Sequence, residues 1–284
     1  MATAVPRYRI ERELGRGGMG VVFAAVRESD GLAVALKTIL PAAGTSQKQI
    51  DRFLRECRIL SQLEHPNIVG CREVAEAGPV PFLAMDLEDG PDLEGWLRER
   101  GPQDVPTAVR IVCQMLKGLA HAHQKGYVHW DIKPGNVLIG RGGAGRVAKL
   151  ADFGLARVYE TSRISGVTLQ GDIGGTPAYM APEQVTHYRT VEPAADQYSA
   201  AATLYRMLTG FHTHDFPKEI GAQLSHLVAA DPVPIRRRRP ELPETLADAI
   251  HRALSREPED RYPDVAAFRQ QLKRFAGGNS PRID

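Results

Sequence analysis

Cysteine is scarce in this chain: Cys57, Cys71 and Cys113 are the only 3 in 284 residues. An odd count with no Cys-x-x-Cys pair argues against a disulfide framework and a thiolate metal site, so a reducing, cytoplasmic setting is expected. No run of about 18 apolar residues occurs, and no membrane-spanning helix is expected. Met1 to Ile10 lacks the basic-then-apolar order of a secretory leader. Charge of one sign is equally lacking: 36 Lys+Arg against 34 Asp+Glu leave a net charge of +2, too little for a nucleic-acid or membrane-surface field. No G-x-x-x-x-G-K-[ST] run is present, which removes a Walker-type phosphate loop, and no internal repeat is visible. What is left is an ordinary globular balance, 43% hydrophobic and 25% charged. That length supports one large or two smaller packed lobes.

Residues 8 to 40 read as strand, glycine turn, strand, a short turn at Ser29-Asp30-Gly31, and strand,. From Ser46 to Leu63 the period changes: Ile50, Phe53, Leu54, Cys57, Leu60 and Leu63 share one helical face, with Ser46 and Gln49 as a capping box,. Ile68 to Val74 and Pro81 to Leu87 look like two further strands. Glu88-Asp89-Gly90-Pro91 marks a polar boundary, after which the pattern is mostly helical. Thr107 is placed as the cap of a helix whose Val109, Val112, Cys113, Leu116, Leu119 and His123 share a face. Further helices are predicted at about 194–209, 243–255 and 263–275, and Arg141 to Arg146 as a surface hairpin turn. The arginine run 236–239, bracketed by Pro234 and Pro240, reads as a solvated loop in preference to a docking patch.

The densest signal is His129-Trp130-Asp131-Ile132-Lys133-Pro134-Gly135-Asn136, followed by Asp152-Phe153-Gly154. An acid, a lysine and an asparagine so spaced, with a second acid downstream, can supply a catalytic base, a phosphate contact and two metal ligands. Upstream stands Gly15-Arg16-Gly17-Gly18-Met19-Gly20. Alone it is weak evidence, because dinucleotide folds use the same glycines. Here it precedes a valine-rich strand instead of opening a helix, which favours a flexible lid whose backbone N–H groups approach phosphates. Val34-Ala35-Leu36-Lys37, a mid-helix Glu56 and Ala181-Pro182-Glu183 follow in order. With this set the sequence resembles the protein kinase family, specifically the eukaryotic-like (Hanks-type) Ser/Thr kinases of bacteria, over roughly residues 8 to 276.

The resemblance implies an α+β, bilobal fold: a small antiparallel β-sheet lobe with one main helix over about residues 1–87, a hinge at about 86–91, and a larger helical lobe over about 92–276. Residues 277–284 are expected to be a disordered tail. It implies ATP and Mg²⁺, with protein Ser/Thr hydroxyls as acceptors, no nucleic acid, and homodimerisation left open. Asp131 is implied as base and Lys133 as a contact to the transferred group, while Lys133-Pro134 points to the Ser/Thr subclass. Lys37 is implied to contact phosphates and pair with Glu56, although Glu64, Glu73 and Glu76 are alternatives. Asn136 and Asp152 are the implied metal ligands, and Gly15, Gly17 and Gly20 the phosphate lid. Val22, Ala35 and Leu138 would wall the adenine slot, with Met85, Asp86 and Leu87 as the hinge and Asp92 toward the ribose. Glu183 and Arg261 are implied as a buried ion pair, Asp196 as a brace for the catalytic loop, and Thr176 as a hydrogen-bond partner of Asp131 and Lys133. One departure is Trp130, where the family carries arginine. Since an indole cannot pair with a phosphate, the expectation is weak dependence on phosphorylation at Thr161, Ser162, Ser165 or Thr168. Two competing readings are a pseudokinase scaffold and a small-molecule phosphotransferase, the latter disfavoured by the docking segment Gly175-Thr176-Pro177.

Overall fold

The computed structural model describes residues 5–17, 20–39, 57, 61–77, 80–142, 145–153, 177–186 and 192–277. The predicted helix over Ser46–Leu63, including Glu56, lies outside these residues except for Cys57 and residues 61–63, and Gly175, Thr176, the four candidate phosphorylation sites and residues 278–284 lie outside them too. Described residues up to Glu88 form one compact unit, and those from Asp89 onward a second.

The first unit is a five-stranded antiparallel sheet of β1 (Tyr8–Gly17), β2 (Gly20–Arg27), β3 (Ala33–Ile39), β4 (Cys71–Ala77) and β5 (Val80–Asp86), in the order β1-β2-β3-β5-β4. Alternation along β2 and β3 puts Ala25, Val34 and Leu36 on one buried face, where they meet Val5, Tyr8, Phe82 and Ala84,. The β2–β3 turn is tied by the Arg27–Asp30 ion pair at 2.5 Å. β4 starts at Cys71, three residues after the expected Ile68, because Ile68 makes only an isolated bridge next to the His65–Ile68 turn, where Ile68 N–H donates to His65 O at 3.0 Å.

The second unit is helical: α1 (Leu93–Arg100), α2 (Val105–Gln124), α3 (Pro182–Thr186), α4 (Ala194–Thr209), α5 (Ile220–Ala229), α6 (Ile235–Arg238), α7 (Glu244–Ala253) and α8 (Val265–Leu272). Between α2 and α3 lies a two-stranded hairpin, β6 (Val137–Gly142) and β7 (Gly145–Leu150), where the sequence placed a hairpin turn. Gly90 is demanded by a close approach: a Cβ there would lie 1.9 Å from Ile139 O,. Trp96 is buried and flanked by two guanidinium groups, Arg100 at 3.9 Å and Arg146 at 5.1 Å from the ring centre,.

Two expectations need correction. The cap of α2 is Asp104, whose carboxylate accepts from Thr107 N at 2.8 Å and from Thr107 Oγ1 at 3.0 Å. Thr107 is the third helical residue, because Pro106 suits the first turn and the acid sits three residues before the amide it satisfies. The arginine run is likewise no solvated loop. Residues 235–238 form a helical turn. Arg238 lies over the Phe211 ring at 4.8 Å and pairs with Asp215 at 2.6 Å. Arg239 donates to Gln103 O at 2.7 Å and Leu208 O at 2.9 Å. Two of the four cations therefore fasten α4 and the start of α2 to this turn, and spacing between prolines gave no sign of it.

Candidate active site

The loop between α2 and β6 carries three of the singled-out residues, and the fold brings them together. Asp131 Oδ2 accepts from Lys133 Nζ at 2.7 Å and from Asn136 Nδ2 at 2.8 Å. The same amide nitrogen donates to Asp131 O at 2.7 Å, so both of its protons are engaged and Asn136 turns its carbonyl oxygen away from Asp131. Such charge-assisted contacts are short and directional. The short 3-10 turn Pro134–Asn136 makes the geometry: proline fixes φ, and Asn136 N donates back to Lys133 O at 3.0 Å,.

Three donors converge on Asp196, in the first turn of α4 and 1% exposed. Its Oδ2 takes His129 N and His123 Nε2, each at 2.8 Å, and its Oδ1 takes Trp130 N at 2.9 Å. A carboxylate at a helix N-terminus is also favoured by the helix dipole. Trp130 has φ of +71°, a left-handed conformation that costs a bulky residue about 1–2 kcal/mol. Its carbonyl is held as well, accepting from Gln184 Nε2 at 2.8 Å.

Asp152 follows β7, also with positive φ, +60°, which a short acidic side chain tolerates. Its neighbourhood is tied to the loop: Ala151 N donates to Asn136 O at 2.9 Å, and His129 Nε2 contacts Ala151 O at 2.9 Å. The His129 and Phe153 rings lie 4.4 Å apart. Leu138 on β6 bridges to Asp92. Asp92 caps α1, its Oδ1 accepting from Gly95 N at 2.6 Å, a role the sequence had not suggested.

In the first unit Lys37 is buried on β3, opposite Val22 on β2 and Leu83 on β5. Gly15 pairs with Val22, and Gly17 with Gly20 across the β1–β2 turn. Ala35 stands opposite Met85. Asp86 closes β5, its N–H donating to Gly70 O at 2.9 Å and its carboxylate accepting from Arg72. Leu87, next along, is half-buried.

Glu183 and Arg261 meet as expected, in a two-pronged contact at 2.7 and 2.8 Å. Sequence reading missed Gln184 and the contact of His123 to Asp196. His123 shares a face with apolar residues, and nothing in local spacing distinguishes a ring that reaches a carboxylate 73 positions away.

A protein kinase domain model matches residues 8–272. The chain is 36% identical over 283 residues to the serine/threonine-protein kinase PkaA of Streptomyces coelicolor, covering 96% of this chain and 50% of that protein. It is 34% identical to Pkn3 of Myxococcus xanthus, with 95% and 50% covered. The chain thus spans about half the length of these curated relatives. Among solved structures, the PknI kinase domain of Mycobacterium tuberculosis superposes with a TM-score of 0.75 at 27% identity, covering 96% of this chain and 98% of that one. With the loop geometry, the sheet order and a match over nearly its whole length, the chain belongs to the protein kinase family, as a bacterial Hanks-type Ser/Thr kinase domain.

Proposed function

We propose that this domain transfers the γ-phosphoryl group of Mg·ATP to Ser or Thr hydroxyls of proteins, its own activation segment included. The observation that carries the reading is the convergence of Lys133 and Asn136 on one oxygen of Asp131. Held this way, Asp131 presents its other oxygen, Oδ1, as base. The acceptor hydroxyl oxygen forms a bond to the γ-phosphorus as the bond from that phosphorus to the β–γ bridging oxygen breaks. The hydroxyl proton passes to Asp131, and ADP leaves with the displaced electron pair. Lys133 stabilises charge on the transferring group.

The donor set fits a hard divalent cation: the carbonyl oxygen of Asn136 and the carboxylate of Asp152 are oxygen ligands of the kind Mg²⁺ takes. Held by these two residues, Mg²⁺ would supply neutralisation of the charge on the phosphates. Lys37 is assigned to the α- and β-phosphates, with Glu56 proposed as its partner, and Gly15, Gly17 and Gly20 to a backbone lid over them. Val22, Ala35 and Leu138 are assigned to the adenine walls, Met85 to Leu87 to its hinge contacts, and Asp92 toward the ribose. Among the described residues no helix is long and apolar enough to cross a membrane, and cytoplasmic protein substrates are proposed.

Incubation with labelled ATP, Mg²⁺ and a generic basic protein tests the reading, with Asp131→Asn as control. The wild type should label the protein, and the variant should lose about 10²–10⁴-fold in kcat. Wild-type turnover in Asp131→Asn would sink the base assignment. ATP binding without transfer by the wild type would favour a pseudokinase.

A further inference from the structure

Gln184 is buried, at 9% exposure, directly after the Ala181-Pro182-Glu183 run. Its side chain does two things at once: Nε2 donates to Trp130 O at 2.8 Å, and Oε1 accepts from Ala181 N at 2.9 Å. A backbone N–H can only donate and a backbone C=O can only accept, so these partners fix which way the amide points. Gln184 N also donates to Ala181 O at 2.9 Å, which anchors the side chain to its own turn. On the other side, Trp130 occupies a left-handed conformation at φ +71°. Such a conformation persists in a bulky residue only when its surroundings hold it. Asp196 holds the Trp130 N–H at 2.9 Å and Gln184 holds the carbonyl, and the next residue in the chain is Asp131.

We propose that Gln184 is a positioning residue for phosphoryl transfer: its amide clips the 181–186 turn to the catalytic loop and so sets the direction in which Asp131 leaves the strained Trp130 peptide. The inference rests on Asp131 being the base. At this length a primary amide meets both demands at any pH, and a carboxyl group only when it is protonated. Glutamate, ionised, would place a carboxylate oxygen against the Trp130 carbonyl and lose the donor. Protonated, it regains one O–H and can restore the contact. Methionine keeps the approximate volume and makes neither hydrogen bond, so it separates packing from polar contact. The clip acts on the orientation of a base and leaves nucleotide binding alone, so it belongs to kcat and not to KM for ATP.

The test uses Gln184→Met, Gln184→Glu and Asp131→Asn in the whole chain, with kcat and KM for Mg·ATP on a generic basic protein and a thermal melt for each. Gln184→Met is expected to melt cooperatively, lose about fivefold or more in kcat, and keep KM for Mg·ATP within about twofold. Activity of Gln184→Glu relative to wild type should rise at least about threefold as pH falls from 8 to 6, since protonation returns the missing donor. A kcat for Gln184→Met within twofold of wild type, or a Gln184→Glu ratio flat with pH, would overturn the clip. Should Gln184→Met fail to fold, the pH ratio of Gln184→Glu decides alone. Full turnover in Asp131→Asn would instead overturn the base assignment, so the two failures are told apart.

Discussion

Replacing Arg261 by alanine removes a side chain that is fully buried and whose five N–H donors all have acceptors: Nε to Ser255 O at 2.9 Å, Nη1 to Glu183 Oε1 at 2.7 Å and Ala194 O at 2.9 Å, Nη2 to Glu183 Oε2 at 2.8 Å and Arg256 O at 3.0 Å. The variant strands a carboxylate and three carbonyls. Breaking a buried pair costs about 3–5 kcal/mol, and the extra carbonyls place Arg261→Ala near the top, at about 5 kcal/mol. Glu183→Ala leaves the guanidinium three carbonyl acceptors, so about 3 kcal/mol is expected. Because Arg261→Ala already forfeits the pair and its worst consequence is the stranded anion, the double variant should cost no more than about 5 kcal/mol. The coupling is then about 3 kcal/mol. Urea unfolding followed by tryptophan fluorescence suits the measurement, since the chain's 2 tryptophans, Trp96 and Trp130, both lie in the second unit. Single-variant losses that add to within about 0.5 kcal/mol would show that the two residues act independently and refute the reasoning.

Lys37→Met should cut kcat/KM at least about a hundredfold with the melting temperature nearly unchanged, since the lysine is assigned to charge and positioning; a large fall in melting temperature would mark it as structural instead. Thr168→Ala, alone or with Thr161, Ser162 and Ser165 replaced, should keep kcat/KM within about threefold of phosphorylated wild type, as should wild type after phosphatase treatment, and a loss of tenfold, about 1.4 kcal/mol, in both would show that phosphorylation switches the enzyme. Stability should fall on mild acidification. Burial, with Arg206 and Arg238 nearby, pushes the His212 imidazole down to about 4, and burial lowers His251, whose Nε2 accepts from Ile235 N at 2.9 Å. In the unfolded chain both titrate near pH 6.5. Below that the unfolded state takes up protons the folded state refuses, so stability is full above about pH 7 and declines from there toward pH 4. With both rings partly solvated, about 1–2 kcal/mol should be lost between pH 7 and 5, and an unchanged urea midpoint over that range would contradict the neutral, buried assignment.

Sequence reading reached furthest where chemistry and spacing coincide. Asp131, Lys133 and Asn136 sit within six residues of one another, and a single turn brings them onto one oxygen, so local pattern suffices. The arginine of the Glu183 pair, 78 positions away, came from family resemblance and not from spacing. Helices with a polar side, such as that starting at Val105, were legible from periodicity. α4 was placed correctly although 14 of its 16 residues are buried, while α1, α5 and the turn at Ile235–Arg238 were not individually seen. α1 carries a charged outer face and only three buried residues, Leu93, Trp96 and Leu97, too few to set a period. Thr107 was mistaken for a cap because threonine suits either position, and only the fold shows that Asp104 reaches its amide. Gln184 escaped because an amide carries no charge and no motif, and its worth lies in two backbone groups that folding places on either side of it.

The burial of α4 has a consequence for how the domain can change over time. Asp196, which fixes His129 and Trp130, projects from a helix with almost no solvent-facing side, where Ala200, Ala201 and Leu204 are fully enclosed. The loop bearing Asp131 is thereby registered to the interior of the second unit and not to its surface. Substitutions can accumulate on exposed flanks such as Arg98 and Glu99 without disturbing that reference point. Along the axis of α4 no such slack exists: an added methyl group must be accommodated by neighbours on every side, and the resulting shift is delivered at its N-terminal turn to the catalytic loop.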